Sequence, residues 1–421
     1  MLFLGVPKNL VESTRARGSW WRSAWLLGPA LVAGVAYLDP GNVASNMTAG
    51  ARYGYLLVWV VVVGNVMAWL IQYLSAKLGI VTGQSLPEVL GTRIRNRWAR
   101  RAYWLQAELV AMATDIAEVL GGAVALHLLF GIPLLLGGAI TGAVSIVLLT
   151  IQTRRGPRHF EFVIIGLMAV IVIGFVAGLF VAPPDPAGVL GGMLPRFADS
   201  GSVLLAASIL GATVMPHAIY AHSALTRDRF AAEVGRPGIR MLLAVTRWDV
   251  TIAMVIAGSV NLAILLLAAA NLAGVDGTDS LEGAHAAISA SLGPVIGTLF
   301  AVGLLASGLA STSVGAYAGA EIMHGLLTVR IPVLARRLVT LIPALALLGV
   351  GFDPTLALVL SQVVLSFGIP FALVPLVALT AQRRTLGEHA NRTITTVLGV
   401  VFAVLLIALN AVLLWLVATG A

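Results

Sequence analysis

The 421-residue sequence contains no cysteine, which excludes disulfides and thiolate metal ligands together. Charge is scarce as well. Asp, Glu, Lys and Arg make up 10% of the chain, against about a quarter in soluble domains, while 59% is hydrophobic and mean hydropathy reaches +0.97. A soluble globule is excluded, and a polytopic helical membrane protein is expected. Acids are the scarcer sign, 18 against 26 Lys and Arg, leaving a net charge of +8 and a pI near 10.4. This excess is not a nucleic-acid signature, because the basic residues are scattered through short loops instead of gathered on one face. There is no Walker-type glycine loop, so ATP dependence is not expected.

What the chain has instead is apolar runs of spanning length, at about 24–50, 54–76, 103–130, 132–152, 160–182, 201–225, 241–271, 293–320, 331–350, 354–380 and 394–418. These make eleven expected spans. Loops on the side of the N-terminus carry Lys8, Arg15, Arg17 and Arg22, then Lys77 and Arg93 to Arg101, Arg154 to Arg158, Arg227 to Arg247, Arg330 to Arg337, and Arg383, Arg384 and Arg392. Only Arg52 and Arg196 fall opposite. Because cytoplasmic loops collect Lys and Arg, the N-terminus is expected inside and the C-terminus outside, in a cell inner membrane. Residues 1–23 show no cleavage-like small-residue site and are read as a cytoplasmic leader.

The first run is interrupted by Tyr37-Leu38-Asp39-Pro40-Gly41-Asn42. An acid at bilayer depth costs roughly 2.5–3.5 kcal/mol on the lenient insertion scale, so Asp39 is a functional candidate by default. Pro40 lacks an N–H and frees the carbonyl four residues earlier, that of Ala36. The sixth run repeats the pattern in Gly211-Ala212-Thr213-Val214-Met215-Pro216-His217, where Pro216 frees Ala212. Interrupted segments at matching positions in two halves point to a transporter's midplane site. The spans accordingly divide into a five-span repeat at 24–182 and a second at 201–380, inverted because five is odd, with 394–418 outside the repeat.

The candidate shell is Asp39, Asn42 and the Ala36 and Ala212 carbonyls, with the Met215 thioether added. Mg²⁺ and Ca²⁺ do not favour sulfur, so the mixed set points to Mn²⁺, Fe²⁺ or a neighbour. Against this stand two structural roles: Asp39 as a cap on the half-helix that follows, and Met215 as a gap filler. Gln362, in Ser361-Gln362-Val363 of the tenth span, either closes the shell or bonds another helix. Glu108, Asp115 and Glu118 fall within roughly 80° on the third span and suggest a proton or ion route, or pairing with Arg336 or Arg337. His217 and His222 point about 140° apart and cannot share one metal; His217 is the proton-carrier candidate, with a core histidine as the alternative. Gly303, Ser307, Ser311, Gly315 and Gly319 recur every four residues and read as close helix packing.

At these residues the chain resembles the NRAMP family of divalent transition-metal transporters. Asp39-Pro40-Gly41-Asn42 and Met215-Pro216-His217 look like the family's two signature breaks, and Asp115-Ile116-Ala117-Glu118, Ser361-Gln362-Val363 and the run 306–325 are similar too. The resemblance implies an all-α leucine-transporter-like fold and proton-coupled import of Mn²⁺ or Fe²⁺ by alternating access. It implies metal-site roles for Asp39, Asn42, Ala36, Met215, Ala212 and Gln362. It also implies a proton route through Asp39, Asp115, Glu118, His217 and a ninth-span arginine, Arg337. Ala218 departs from the Asn frequent in the family, and Gly308-Leu309 from its polar eighth-span residues.

No enzymatic activity and no resident cofactor are expected, since the metal is cargo. The expected partners are divalent metal ions, protons and the lipid bilayer, with no nucleic acid, and the chain is expected to act as a monomer. Two rivals remain at this stage. An organic-solute symporter on the same fold is disfavoured by Asp39 beside the half-helix N-terminus, where a substrate carboxylate would sit. A channel-like or sensory membrane protein is the other.

Overall fold

A computed structural model describes residues 28–155, 157–230, 238–329 and 332–419, which contain helices and no strand. The expected leader at 1–23 and the start of the first span, 24–27, lie outside the described residues.

The first span is broken where the proline requires it. Helix α1 (Pro29–Val35) passes into a 3-10 turn, Ala36–Leu38, and α2 (Pro40–Tyr53) starts afresh with Pro40 in its first turn. Asp39 sits between them in extended conformation and caps α2, its carboxylate accepting from the Asn42 N–H at 2.8 Å. After α3 (Val58–Thr82), stopped by left-handed Gly83, comes a short helix not anticipated from hydropathy, α4 (Leu86–Arg93). Its signal is a capping box: Ser85 bonds the Glu88 N–H while the Glu88 carboxylate returns to the Ser85 N–H. The first half continues with α5 (Arg97–Phe130), α6 (Leu134–Arg155), α7 (Pro157–Val181) and short α8 (Pro186–Gly192), which Asp185 caps.

The second break separates α9 (Ser200–Thr213) from α10 (Pro216–Phe230), with Val214 and Met215 outside both. Then follow α11 (Ile239–Asn271), short α12 (Leu281–Leu292), α13 (Pro294–Leu327), α14 (Val333–Gly349), α15 (Pro354–Ala381), short α16 (Arg383–Leu386) and α17 (Thr393–Thr419). Each of the eleven expected spans coincides with a helix or a broken pair. Among the described residues, eight segments are long and apolar enough to cross a membrane, fewer than expected. Two of the three have a physical reason, the break that cuts the first span to pieces and the 17-residue length of α14; in α6 the side chains are described only over Leu134–Leu148.

Burial separates centre from rim. The apolar window within Ser200–Phe230 is 89% buried, whereas those of Phe162–Val181 and Thr393–Leu416 are 33% and 28% buried, so the broken helices lie inside and α7 and α17 at the rim. Around the breaks, α5 packs along α13, α11 against α2 and α3, and α9 against α15. Missing side chains allow the closest crossings. A Cβ on Gly50 of α2 would stand 2.5 Å from the Leu265 carbonyl oxygen and 2.6 Å from Ala268 Cβ of α11. Asp249 of α11 also holds the start of α1, accepting from the Gly28 and Ala30 N–H groups.

Gly50→Val should therefore force α2 off α11 and cost about 1–3 kcal/mol, read as a lowered thermal midpoint of the purified protein in detergent. Gly166→Ala, where an added Cβ meets nothing within 4 Å, is the matched control and should leave the midpoint unchanged or slightly higher.

Candidate metal and proton site

The two breaks are tied together by one side chain. Asn42, in the first turn of α2, donates through Nδ2 to the Tyr37 carbonyl at 2.7 Å and to the Ala212 carbonyl at 2.9 Å. Asn261 of α11 adds a second donor to Tyr37, at 2.9 Å, and the Ser307 hydroxyl of α13 donates to the Leu38 carbonyl. Peptide oxygens around both breaks have thus taken side-chain donors, as a low-dielectric interior demands. The Ala212 oxygen, denied its i+4 donor by Pro216, is engaged by the Asn42 amide.

Gln362 of α15 enters from a third direction. Its Nε2 donates to Asp39 Oδ2 at 3.0 Å, while its Oε1 is buried without a hydrogen-bond partner. Two glycines make room for it. A Cβ on Gly41 would lie 1.7 Å from Gln362 Nε2, and one on Gly211 would lie 2.0 Å from the Gln362 carbonyl oxygen. Asp39, Asn42, Ala212 and Gln362 therefore form one bonded cluster. Met215, wholly buried, stands between the last turn of α9 and Pro216; Ala36 opens the 3-10 turn. Those two belong to the breaks by position. Asp39 combines the roles that stood as alternatives, capping α2 through one oxygen and meeting Gln362 through the other.

Among the described residues no three His, Asp or Glu side chains gather as a metal-binding group. A cation held at the breaks would draw on one carboxylate, amide and peptide oxygens, and a thioether, which suits a borderline transition metal better than Mg²⁺ or Ca²⁺.

Beside this cluster runs the acid stripe of α5. Pro40 packs on Gly121, where an added Cβ would come within 2.0 Å, so the stripe helix touches the first break. Both candidate arginines of α14 are engaged. Arg336 pairs with Glu108 at 2.9 Å and Asp115 at 3.4 Å; Arg337 pairs with Asp115 at 2.8 Å and reaches Glu118 at 3.6 Å. Asp115 bridges the two guanidinium groups, and Arg337 also donates to Ser145 at 2.9 Å. The small-residue stripe of α13 does more than pack helices. A Cβ on Gly319 would fall 2.0 Å from Arg336 Cζ and one on Gly315 2.9 Å from Glu118 Oε1, so those glycines form the socket of the ionic cluster.

The histidines diverge as their spacing predicts. His217 Nδ1 lies 3.2 Å from the Thr114 hydroxyl, next to the stripe, whereas His222 Nδ1 lies 2.6 Å from Gln72 Oε1. Gln72 in turn donates to the Tyr37 hydroxyl. Tyr37, Gln72 and Asn261 were not singled out as site residues from the sequence, and Ser307 was read only as close packing; a signal existed for Gln72 and Asn261, amides inside apolar spans, and none for Tyr37. At the far end of α10, Arg227 pairs with Glu88 of α4 at 2.7 Å, Glu321 of α13 at 3.2 Å and Asp228 at 2.8 Å, and the Tyr317 hydroxyl donates to Asp228.

Comparison with known proteins speaks to the family. A family model described as "Natural resistance-associated macrophage protein-like" matches residues 30–416. A curated relative from Mycobacterium tuberculosis, "Divalent metal cation transporter MntH", is 60% identical over 414 residues, covering 98% of this chain and 96% of the relative. A crystal structure of the Eremococcus coleocola manganese transporter superposes with a TM-score of 0.83 at 32% identity, covering 94% of this chain and 87% of that one. Mhp1, a nucleobase-cation-symport-1 family transporter, shares the fold alone, with a TM-score of 0.57 at 17% identity over 88% of this chain and 82% of that one. On the family match and the near full-length identity, this chain belongs to the Nramp family.

Proposed function

We propose that the protein is a proton-coupled secondary transporter that imports Mn²⁺ or Fe²⁺ across the cytoplasmic membrane by alternating access. One observation carries the reading. Two proline-interrupted helices are held together by the Asn42 bond to Ala212, with one carboxylate and one thioether at the breaks. Names of relatives support the substrate class: a 60% identical relative is named a divalent metal cation transporter, and a superposable structure is of a manganese transporter.

On this reading the metal is cargo, held by Asp39, Asn42, Met215, the Ala36 and Ala212 carbonyls and, in part of the cycle, Gln362. Asp39 binds the dication when deprotonated. On this reading a proton leaving Asp39 travels by way of Asp115, Glu118, Arg337 and His217, all of them buried, with Glu108 further along the stripe. Paired acids of this kind still exchange protons when their surroundings change. The two halves, 24–182 and 201–380, act as inverted repeats, with 394–418 outside them and the N-terminus in the cytoplasm. Monomeric action suffices because both breaks come from one chain. Transport makes and breaks no covalent bond, which fits relatives that are transporters and not enzymes.

Reconstituted in liposomes with an imposed inward proton gradient, the protein should take up Mn²⁺ saturably. Asp39→Ala should reduce uptake by on the order of 100-fold or more, since even outer-sphere partners of metals are worth 10–100-fold. Undiminished uptake by that variant would remove the site assignment. Met215→Ala should keep Mn²⁺ uptake but let Ca²⁺ or Mg²⁺ compete about tenfold better, a loss of roughly 1.4 kcal/mol of discrimination. Glu118→Gln should admit Mn²⁺ while lowering the accompanying proton influx, followed with an entrapped pH dye; unchanged proton influx would assign the stripe to helix pairing alone.

A further inference from the structure

At the end of α15 and the start of α17, far along the chain from either break, the loop around Arg383 to Thr393 borders an open-sided cavity of about 760 Å³. Arg383, Arg392, Asn391 and Glu388 are among the residues that line it. It lies on the face that the arginine distribution assigns to the cytoplasm. The loop is built as a fixed structure. Asn391 donates through its backbone N–H and its Nδ2 to Thr380, at 2.9 and 2.8 Å, and Arg93 of α4 donates to Gln382 and Thr385 at 2.9 and 2.6 Å.

Its charge is unbalanced. Lys77, 8% exposed, donates to Asn391 Oδ1 at 3.0 Å and pairs with no carboxylate among the described residues. Arg93 spends its guanidinium on neutral oxygens, and Arg383, Arg384 and Arg392 are exposed without a described acidic partner. The one acid of the lining, Glu388, is already shared by Arg240 at 3.3 Å and His389 at 3.4 Å. The Arg383 and Arg392 guanidinium groups at the cavity, with the buried Lys77 ammonium bonded to the Asn391 side chain, make its field favour an anion.

The neighbouring surface tells which kind. Directly beyond Thr393, α17 exposes Ile394, Val397 and Val401, and α15, which packs on α17, exposes Phe371 and Val374. A soluble anion uses only the cavity, whereas an amphiphile uses both surfaces. We propose that this cavity holds the phosphate-bearing headgroup of an anionic phospholipid, with its acyl chains along the exposed faces of α15 and α17. Basic pockets at the ends of membrane helices have the chemistry for this. The site is separate from the metal pathway and does not rest on the metal-transport reading.

The test uses the full-length protein in neutral detergent, with phosphatidylglycerol, phosphatidylcholine or inorganic phosphate added and retained adducts counted by native mass spectrometry. Phosphatidylglycerol should be retained in preference to phosphatidylcholine. Arg383→Gln combined with Arg392→Gln should weaken that retention roughly thirtyfold, the factor two basic residues supply near a membrane surface. Arg95→Gln with Arg97→Gln, which removes equal charge elsewhere on this face, should leave it intact. Should the first double variant misfold, Arg392→Gln alone is expected to weaken retention about fivefold. Equal retention of the two lipids by the parent protein, or equal loss in both double variants, would overturn the proposal. Displacement of the lipid by inorganic phosphate alone would reassign the cavity to a soluble anion and overturn it as well.

Discussion

Within a bilayer a peptide group deprived of its helical partner has no water to turn to, and each unmet group costs several kcal/mol. Two prolines impose that deprivation here, and the centre of the molecule is arranged around its relief. Asn42 and Asn261 serve the Tyr37 carbonyl, Asn42 serves Ala212, and Ser307 serves Leu38. These donors come from α2, α11 and α13, so the breaks persist only while those three helices stand in register with them. The close contacts at Gly41, Gly50, Gly121 and Gly211 follow, because side chains there would push the donors out of reach.

A second constraint runs in parallel. Three acids on α5 meet two arginines on α14, and the cluster is nearly sealed from solvent. Removing one partner of such a group leaves an uncompensated charge, which is far costlier than never having built the pair. The cluster and the first break are in mechanical contact through Pro40 on Gly121. Any shift of the half-helix carrying Asp39 is therefore felt by the helix carrying Asp115 and Glu118, which gives coupling between the two regions a route through packed atoms.

Much of this was legible in the residues. Hydropathy placed eleven helical segments, and the rule that proline cannot continue a helix located both interruptions, at Asp39 and at Val214 and Met215. Helical angles separated His217 from His222. Three-dimensional proximity was not legible. Nothing in the period of α13 distinguishes a glycine that packs on Gly174, as Gly303 does, from one that cradles a guanidinium, as Gly319 does. The choice between Arg336 and Arg337 was likewise open because adjacent residues on one helix differ only in direction, and the structure engages both. Short α4, α8 and α12 escaped because hydropathy is blind to caps, although Ser85, Asp185 and Ser280 each supply one.

The bond from Asn42 to Ala212 bears on how a cation would settle between the breaks. An ion that coordinated that peptide oxygen would compete with the amide for its electron density, so arrival would weaken one bond while making another. The tether joining α2 to α9 would loosen in the same event that fills the cradle. Occupancy and freedom of movement would then be linked: a cation on that oxygen would loosen the pin between two half-helices, and a weakly coordinating ion would leave them fastened.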